Sequence, residues 1–209
     1  MSDLTRIRIL CVDDHPLFRE GIATVIAYQK DMQLVAMAAT AKAAVEEFSI
    51  HQPDVTLMDL RLPDTSGISA VASIRTDFPE ARIIMLTTFE GDVEVQHALA
   101  AGACGYLLKS TPREELIEVI RKIHSGRKHL ASVVADNLAE HFGSDSLSER
   151  EIDVLKCMAE GDRNKDIGER LSISEETVKV HVRHIMYKLG AKDRTQAVAI
   201  GIRRGIIHI

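Results

Sequence analysis

The feature that most constrains the fold is a short apolar segment, residues 55–58, that ends in the carboxylate of Asp59. The segment shows no alternation of polar and apolar residues, which is typical of a strand buried on both faces of a parallel sheet. Functional sites in open parallel sheets lie just beyond the carboxyl ends of the strands, where Asp59 would stand. Taken alone, an Asp at a strand end is more often a turn residue, so its meaning depends on the rest of the chain.

Before residue 125 the sequence predicts five short strands, each followed by an amphipathic helix. The predicted strands are 6–12, 33–38, 55–58, 82–86 and 105–108, and the predicted helices begin near residues 16, 41, 68, 93 and 114. This pattern predicts a doubly wound α/β domain, with helices on both faces of a five-stranded parallel sheet.

Polar residues follow strand after strand: Asp13 and Asp14, Asp59, Thr87 and Lys109. Because the carboxyl ends of parallel strands share one edge, we expect these side chains to converge. Three carboxylates together need a cation, and their hard oxygens suit Mg²⁺. Asp59 is the best nucleophile, since a carboxylate can accept a phosphoryl group, while Lys109 and Thr87 would contact the phosphoryl oxygens. Each residue taken singly has an ordinary structural role as its alternative.

Charge and cysteine content indicate two domains in a reducing compartment. Residues 1–146 hold 14 Lys and Arg against 21 Asp and Glu (net −7), whereas residues 147–209 hold 12 against 10 (net +2). The difference predicts different partners for the two parts. Three well-separated cysteines favour reduced thiols, and neither a signal peptide nor a membrane span of about 20 apolar residues is evident. We therefore expect a cytoplasmic protein with no membrane partner.

Residues 125–146 have the composition of a linker. They contain Gly126, Gly143 and several serines, and residues 133–142 could form a short helix. We therefore predict one domain over residues 1–124, a hinge-like linker over 125–146, and a second domain over 147–209.

The second domain shows only helical patterns. Ser148 and Glu151 fit a capping box, and Gly161 ends the first helix. Gly168 interrupts the second helix, which predicts a close contact with another helix. Ser174 fits the N-cap of a third helix that ends before Gly190. Two short helices, a tight turn and a third helix predict a helix-turn-helix fold.

The third helix has two different sides. Its apolar side carries Val178, Val182, Ile185 and Leu189. Its outer side carries Lys179, Val180, Arg183 and Tyr187, with His184 and Lys188 at the flank. A basic outer face on such a helix favours DNA binding, although an ordinary solvated face is the alternative.

Residues 6–124 resemble the receiver domain of two-component signalling. The matching motifs are Val12-Asp13-Asp14-His15, Asp59 with Leu62-Pro63-Asp64 and Gly67, Leu86-Thr87, and Gly105-Tyr106-Leu107-Leu108-Lys109-Ser110. The resemblance implies that Asp59 is the phosphoacceptor and that Mg²⁺ binds in the pocket of Asp13, Asp14 and Asp59. It also implies that Thr87 and Tyr106 form a switch pair.

Residues 147–209 resemble the LuxR/NarL-type effector domain. The matching motifs include Leu147-Ser148-Glu149-Arg150-Glu151, Asn164-Lys165-Asp166-Ile167, Thr177-Val178-Lys179-Val180-His181 and Arg194-Thr195-Gln196-Ala197. The resemblance implies that Lys179, Val180 and Arg183 enter the major groove. The implied phosphate contacts are Asn164, Lys165, Thr177, His184 and Lys188.

The last helix resembles the dimer helix of that family. We expect Thr195 to cap it and Val198 and Ile202 to lie in the dimer contact. Simple packing of this helix against the first helix of the domain is the alternative.

Together these patterns predict a DNA-binding response regulator and not an enzyme. A sensor histidine kinase would phosphorylate Asp59, and the phosphorylated homodimer would bind promoter half-sites, with RNA polymerase as a further partner. A Mg²⁺-dependent phosphohydrolase is one alternative, but Arg61 stands where such enzymes usually carry a second Asp as general acid. A constitutive DNA binder is another alternative, against which the intact acidic pocket argues.

Overall fold

The computed structural model of the chain describes residues 6–88, 91–130 and 147–207. The chain divides into two compact units, one formed mainly by the N-terminal residues and the other mainly by the C-terminal residues. The short helix predicted over residues 133–142 lies outside the described residues. Within the described ranges, no helix combines the length and the apolar character needed to cross a bilayer.

The N-terminal unit alternates strands and helices as predicted. The strands are β1 (Ile7–Val12), β2 (Met32–Ala38), β3 (Val55–Asp59), β4 (Ile83–Thr87), β5 (Gly105–Leu108) and β6 (His129–Leu130). The helices are α1 (Pro16–Ala27), α2 (Ala41–His51), α3 (Gly67–Asp77), α4 (Asp92–Ala100) and α5 (Arg113–His124). All paired strands are parallel, in the order β2-β1-β3-β4-β5-β6.

Over the described residues, the sheet has one strand more than predicted. His129 and Leu130 pair with Gly105 and Tyr106 of β5, inside the segment predicted to be linker. A strand of two residues is too short to show a periodic pattern, so its sequence gave no signal.

Both faces of the sheet are buried, as the apolar character of its strands predicted. Leu57 and Ile84 pack in a cluster that includes apolar residues of α1 and α5. The next residues along the same strands, Met58 and Met85, belong to a second cluster with residues of α2, α3 and α4. Successive strand residues therefore point to opposite faces, and the sheet is held between two apolar layers.

The C-terminal unit is helical. Its helices are α6 (Glu149–Ala159), α7 (Asn164–Leu171), α8 (Glu175–Leu189) and α9 (Arg194–Arg203). The predicted capping box of Ser148 and Glu151 is confirmed. Ser174 caps α8 by accepting the Thr177 amide at 3.1 Å, and Gly190 ends α8 with a φ of 62°. A left-handed φ at that position favours glycine over other residues.

One detail of this unit contradicts the sequence-based expectation, and a second makes it more precise. Asp193, rather than Thr195, caps α9, because the Asp193 carboxylate accepts the Gln196 amide at 2.8 Å and Thr195 already lies in the first turn. A Cβ on Gly168 would lie 2.8 Å from the Ile173 carbonyl oxygen. The same Cβ would lie 3.4 Å from the amide nitrogen of Glu175, the first residue of α8. The close contact at Gly168 is therefore with the turn between α7 and α8 and with the start of α8.

Candidate functional site

Four strands bring the predicted acidic site together at one edge of the sheet. Asp13 follows β1, Asp59 ends β3, Thr87 ends β4 and Lys109 follows β5. The parallel register places Asp59 beside Leu86, and it places Thr87 beside Leu108. Asp13, Asp59 and Thr87 are buried. The predicted convergence of strand ends is therefore present in the structure.

Lys109 joins the two buried carboxylates. Its Nζ lies 2.7 Å from Asp13 Oδ2 and 2.8 Å from Asp59 Oδ2. The same ammonium lies 5.0 Å from the centre of the Phe18 ring, so an aromatic face covers one of its sides. Asp59 Oδ1 also accepts the Arg61 amide at 3.4 Å. Both oxygens of Asp59 therefore have hydrogen-bond donors.

The electrostatics of this cluster are those of a site with one negative charge in excess. Burial raises the pKa of Asp59, and the neighbouring charge of Asp13 raises it further, while the hydrogen bond from Lys109 lowers it; the net pKa is raised. Burial lowers the pKa of Lys109, but its hydrogen bonds to Asp13 and Asp59 outweigh that effect and the net pKa is raised. One cation between two carboxylates leaves room for a further cation.

A possible set of metal ligands surrounds this excess charge. Four ligand atoms lie within 4.8 Å of one another: one carboxylate oxygen each from Asp13, Asp14 and Asp59, and a ring nitrogen of His15. Three carboxylates form a hard donor set that suits Mg²⁺ completed by water. The chemistry of these residues therefore fits the predicted metal.

His15 is a site residue that the sequence analysis did not assign. Its Nδ1 lies 2.6 Å from Asp14 Oδ1 and 3.2 Å from Asp13 Oδ1, and its amide donates to Asp13 Oδ1 at 2.9 Å. Its position directly after Asp13 and Asp14 was the available signal. Because His15 is the N-cap residue of α1, the start of the helix directs its ring back towards the carboxylates.

The loop after Asp59 is held by its own contacts. Asp64 accepts the amides of Ala41 and Lys42, at 2.9 and 3.0 Å, at the start of α2. These hydrogen bonds hold the pKa of Asp64 below its ordinary value. A Cβ on Gly67 would lie 1.9 Å from the Asp59 carbonyl oxygen. Asp64 and Gly67 therefore fix the path of the chain that leaves the site.

The two residues of the predicted switch pair are both buried. Thr87 is at the end of β4, and Tyr106 lies in β5 with its side chain in the cluster formed with α2, α3 and α4. The position of Thr87 agrees with the edge that the strand pattern predicted. Their roles as a switch stay predictions.

The outer face of α8 is exposed, as the helical spacing predicted. Lys179, Val180, Arg183 and Tyr187 are exposed, whereas Val178, Ile185 and Leu189 are buried and Val182 is half-buried. Lys179 Nζ lies 3.1 Å from Glu176 Oε2 and 3.4 Å from Glu175 Oε1. The acidic first turn of α8 therefore holds the ammonium of Lys179.

The residues predicted to contact phosphates differ in their surroundings. Lys165 and Thr177 are exposed. Asn164 Oδ1 accepts a hydrogen bond from Arg194 at 3.1 Å, and Lys188 Nζ lies 2.8 Å from Glu151 Oε2. His184 is exposed, with its Nδ1 4.0 Å from Glu151 Oε1.

Val198 and Ile202, predicted for the dimer contact, are half-buried. They pack against the apolar core of their own unit. This packing agrees with the alternative role of α9, namely to cover that core, and the dimer role stays a prediction.

The fold and these two sites define the class of protein. Residues 9–121 match the model of the response regulator receiver domain, and residues 145–200 match that of bacterial regulatory proteins of the luxR family. The chain belongs to the response regulators that carry a LuxR-type DNA-binding domain. This family consists of transcriptional regulators of two-component systems rather than enzymes.

Related proteins and a solved structure agree with this assignment over nearly the whole chain. The chain is 41% identical to the "Uncharacterized transcriptional regulatory protein YxjL" of Bacillus subtilis, with 97% of this chain and 98% of the relative covered. It is 35% identical to the oxygen regulatory protein NreC of Staphylococcus aureus, with 96% and 99% covered. It is similar to the crystal structure of ChrA, a response regulator of a heme-sensing two-component system, with a TM-score of 0.59, 32% identity, and 98% and 100% covered.

Proposed function

We propose that the protein is a transcriptional regulator whose DNA binding depends on phosphorylation of Asp59. A sensor histidine kinase, or a small phosphodonor, supplies the phosphoryl group in the cytoplasm, and the phosphorylated homodimer binds paired promoter half-sites. The observation that carries the proposal is the position of the Lys109 ammonium, within 2.8 Å of both Asp13 and Asp59 at the carboxyl edge of the sheet.

The geometry supports Asp59 as the phosphoryl acceptor. An oxygen of its carboxylate would attack the phosphorus of a phosphohistidine, forming a P–O bond as the P–N bond breaks and the imidazole leaves. Lys109 already contacts Asp59 Oδ2, so its ammonium can follow the negative charge onto the phosphoryl oxygens. Thr87 ends the adjacent strand and would donate its hydroxyl to the same group.

The acidic cluster supports Mg²⁺ as the cofactor. Asp13, Asp14 and Asp59 would hold the ion, and its charge would offset that of the carboxylates and of the incoming phosphoryl group. His15 lies against Asp14 and Asp13 and would orient these two carboxylates.

The exposed face of α8 supports direct contact with bases. Arg183 can donate two hydrogen bonds to guanine, and Val180 can contact the methyl group of thymine. Lys179 would join them in the major groove, while Lys165 and Thr177 would contact phosphates and fix the register. Contact with RNA polymerase stays a prediction.

Activation would then pass from Asp59 to the switch pair. We propose that Thr87 moves towards the phosphoryl group and that Tyr106 changes its burial. These changes would alter the surface formed by α4 and β5 and promote dimerisation.

The test compares DNA binding and oligomeric mass with and without beryllofluoride in Mg²⁺, for the wild type and for Asp59→Asn. We expect only the treated wild type to dimerise and bind a DNA duplex selected from random sequence. Equal binding by both proteins in every condition would show that phosphorylation of Asp59 does not control DNA binding.

A further inference from the structure

One buried carboxylate in the C-terminal unit has more partners than a helix cap requires. The side chain of Glu151 is 5% exposed. Its Oε2 accepts the Ser148 amide at 2.8 Å, the Ser148 hydroxyl at 3.0 Å and the Lys188 ammonium at 2.8 Å. Its Oε1 lies 4.0 Å from His184 Nδ1. A capping box needs only the contact with Ser148, so the contact with Lys188 calls for a separate explanation.

The contact with Lys188 connects two distant parts of the chain. Lys188 lies in the last turn of α8, 37 residues after Glu151 at the start of α6. A lysine at the end of a helix ordinarily extends its ammonium into water or towards the last carbonyls of its own helix. Here the side chain is 24% exposed. The pair therefore restrains the ammonium of Lys188 at the start of α6.

Lys188 and His184 lie on the same flank of α8. They are four residues apart, about one helical turn, and this flank borders the outer face that carries Val180 and Arg183. Glu151 contacts Lys188 and lies near His184. Its carboxylate therefore acts at the edge of the face that we propose enters the major groove.

We infer that Glu151 is a positioning residue of the DNA interface, which holds the ammonium of Lys188 and orients His184 for contact with a phosphate. The inference rests on the proposed DNA contacts of these two residues. A lysine that is already fixed when the protein folds loses less side-chain freedom on binding DNA. A fixed ammonium can reach a phosphate at only one position along the DNA. The contact therefore sets the register of α8 in the groove.

A double-mutant cycle separates this role from simple stabilisation of the fold. The full chain is activated with beryllofluoride and Mg²⁺, and its affinity is measured for a duplex selected by the wild type from random-sequence DNA. The variants are Glu151→Gln, Lys188→Met and the two together. Ser148→Ala is the matched control, because it removes a partner of the same carboxylate and leaves Lys188 in place.

We expect Glu151→Gln to weaken binding about three- to tenfold when Lys188 is present and less than about twofold in the Lys188→Met background. Lys188→Met should weaken binding to all sequences alike. It should also reduce the slope of log affinity against log salt concentration by about one, as the loss of one phosphate contact predicts. Ser148→Ala should lower the unfolding midpoint while changing the affinity by less than about twofold.

Four results would overturn the inference. An equal loss from Glu151→Gln in both backgrounds would show that Glu151 acts through the fold alone, and unchanged or tighter binding would show that it does not position Lys188. If Lys188→Met has no effect while Arg183→Ala weakens binding, the inference fails and the proposed function stands. If the activated wild type selects no DNA at all, the proposed function fails as well.

Discussion

Gly67 should be irreplaceable even by alanine, because its backbone lies against the last residue of β3. A Cβ at this position would lie 1.9 Å from the Asp59 carbonyl oxygen, 3.0 Å from the Asp59 carbonyl carbon and 3.3 Å from Met58 Cγ. The backbone of Gly67 is not in the left-handed region, so its φ would not penalise alanine. The expected cost of Gly67→Ala therefore comes from the contact alone.

The structure sets the size of this cost. The Cβ–oxygen distance must grow from 1.9 Å to at least 3.0 Å, and neither backbone is free to move. The Gly67 amide donates to the Leu60 carbonyl at 2.9 Å, and the Leu60 amide donates to the Leu86 carbonyl of β4 at 3.0 Å. Losing or stretching these hydrogen bonds costs about 1 kcal/mol each, and overpacking costs about 1–3 kcal/mol. We expect a total loss of about 3–5 kcal/mol.

Gly21→Ala is the matched control for this substitution. Gly21 lies inside α1, is exposed, and has no atom within 4 Å of the position of its Cβ. Alanine is preferred over glycine inside a helix by about 0.5–1 kcal/mol. The same chemical change in the same unit should therefore stabilise the protein at residue 21 and destabilise it at residue 67.

The free energies of unfolding of Gly67→Ala and Gly21→Ala can be measured by urea unfolding followed by hydrogen exchange. Peptides from the sheet report on the N-terminal unit without interference from the helical unit. Phosphorylation by a small phosphodonor, followed by mass spectrometry, would show the functional consequence. A displaced Asp59 should accept the phosphoryl group at least about tenfold more slowly, since a shift of about 1 Å is costly for a reacting group. If Gly67→Ala unfolds within about 1 kcal/mol of the wild type and is phosphorylated normally, the close approach of these two backbones is refuted.

Three further predictions follow from the ion pairs and the exposed face of α8. Lys109→Met leaves Asp13 and Asp59 uncompensated, so the free energy of unfolding at pH 7 should fall by about 3 kcal/mol and partly recover in Mg²⁺; urea unfolding with and without the ion would test this, and no loss would contradict it. Arg183→Ala should reduce discrimination at one base position by about 1–3 kcal/mol, measured by competition with single-base variants of the site; an unchanged base preference would refute its assignment. Burial raises the pKa of Glu151, but its hydrogen bonds from Lys188 and Ser148 outweigh this and the net pKa lies below the ordinary 4.5, so its stabilisation is present above that pH and is lost as pH falls. Glu151→Gln should therefore destabilise the helical unit by about 1–2 kcal/mol at pH 7 and by much less at pH 3, and an equal effect at both pH values would rule out an electrostatic origin.

The acidic site could be predicted because a topological rule connects it to the sequence. In a parallel sheet every strand ends at the same edge, so the residues that follow four separate strands can be assigned to one site without knowing any loop. Asp13, Asp59, Thr87 and Lys109 are all found there. The capping signals of Ser148 and Ser174 were predictable for a related reason, since a cap depends on residues only three positions apart.

The contacts that were missed depend on the path of a turn or on short segments. The ring of His15 reaches Asp14 because α1 begins directly after it. Thr195 and Asp193 are both good N-cap residues, and only the start of α9 decides between them. The two residues of β6 join the sheet only because the chain returns beside β5 after α5. Such contacts depend on the three-dimensional path of the chain and leave no periodic pattern in the sequence.

Both units contain an ion pair between a lysine and a buried carboxylate, and the sequence predicted only one of the two pairs. In each unit a lysine beyond or near the end of an element reaches a buried carboxylate: Lys109 contacts Asp59, and Lys188 contacts Glu151. Both carboxylates would be costly to bury without a cation. In the sheet the pair follows from strand order, but helices have no common edge, so the crossing of α6 and α8 alone brings Lys188 to Glu151. A basic residue on the flank of a predicted DNA-binding helix therefore need not be a free phosphate ligand; its neighbours decide whether its charge is available or its position is fixed.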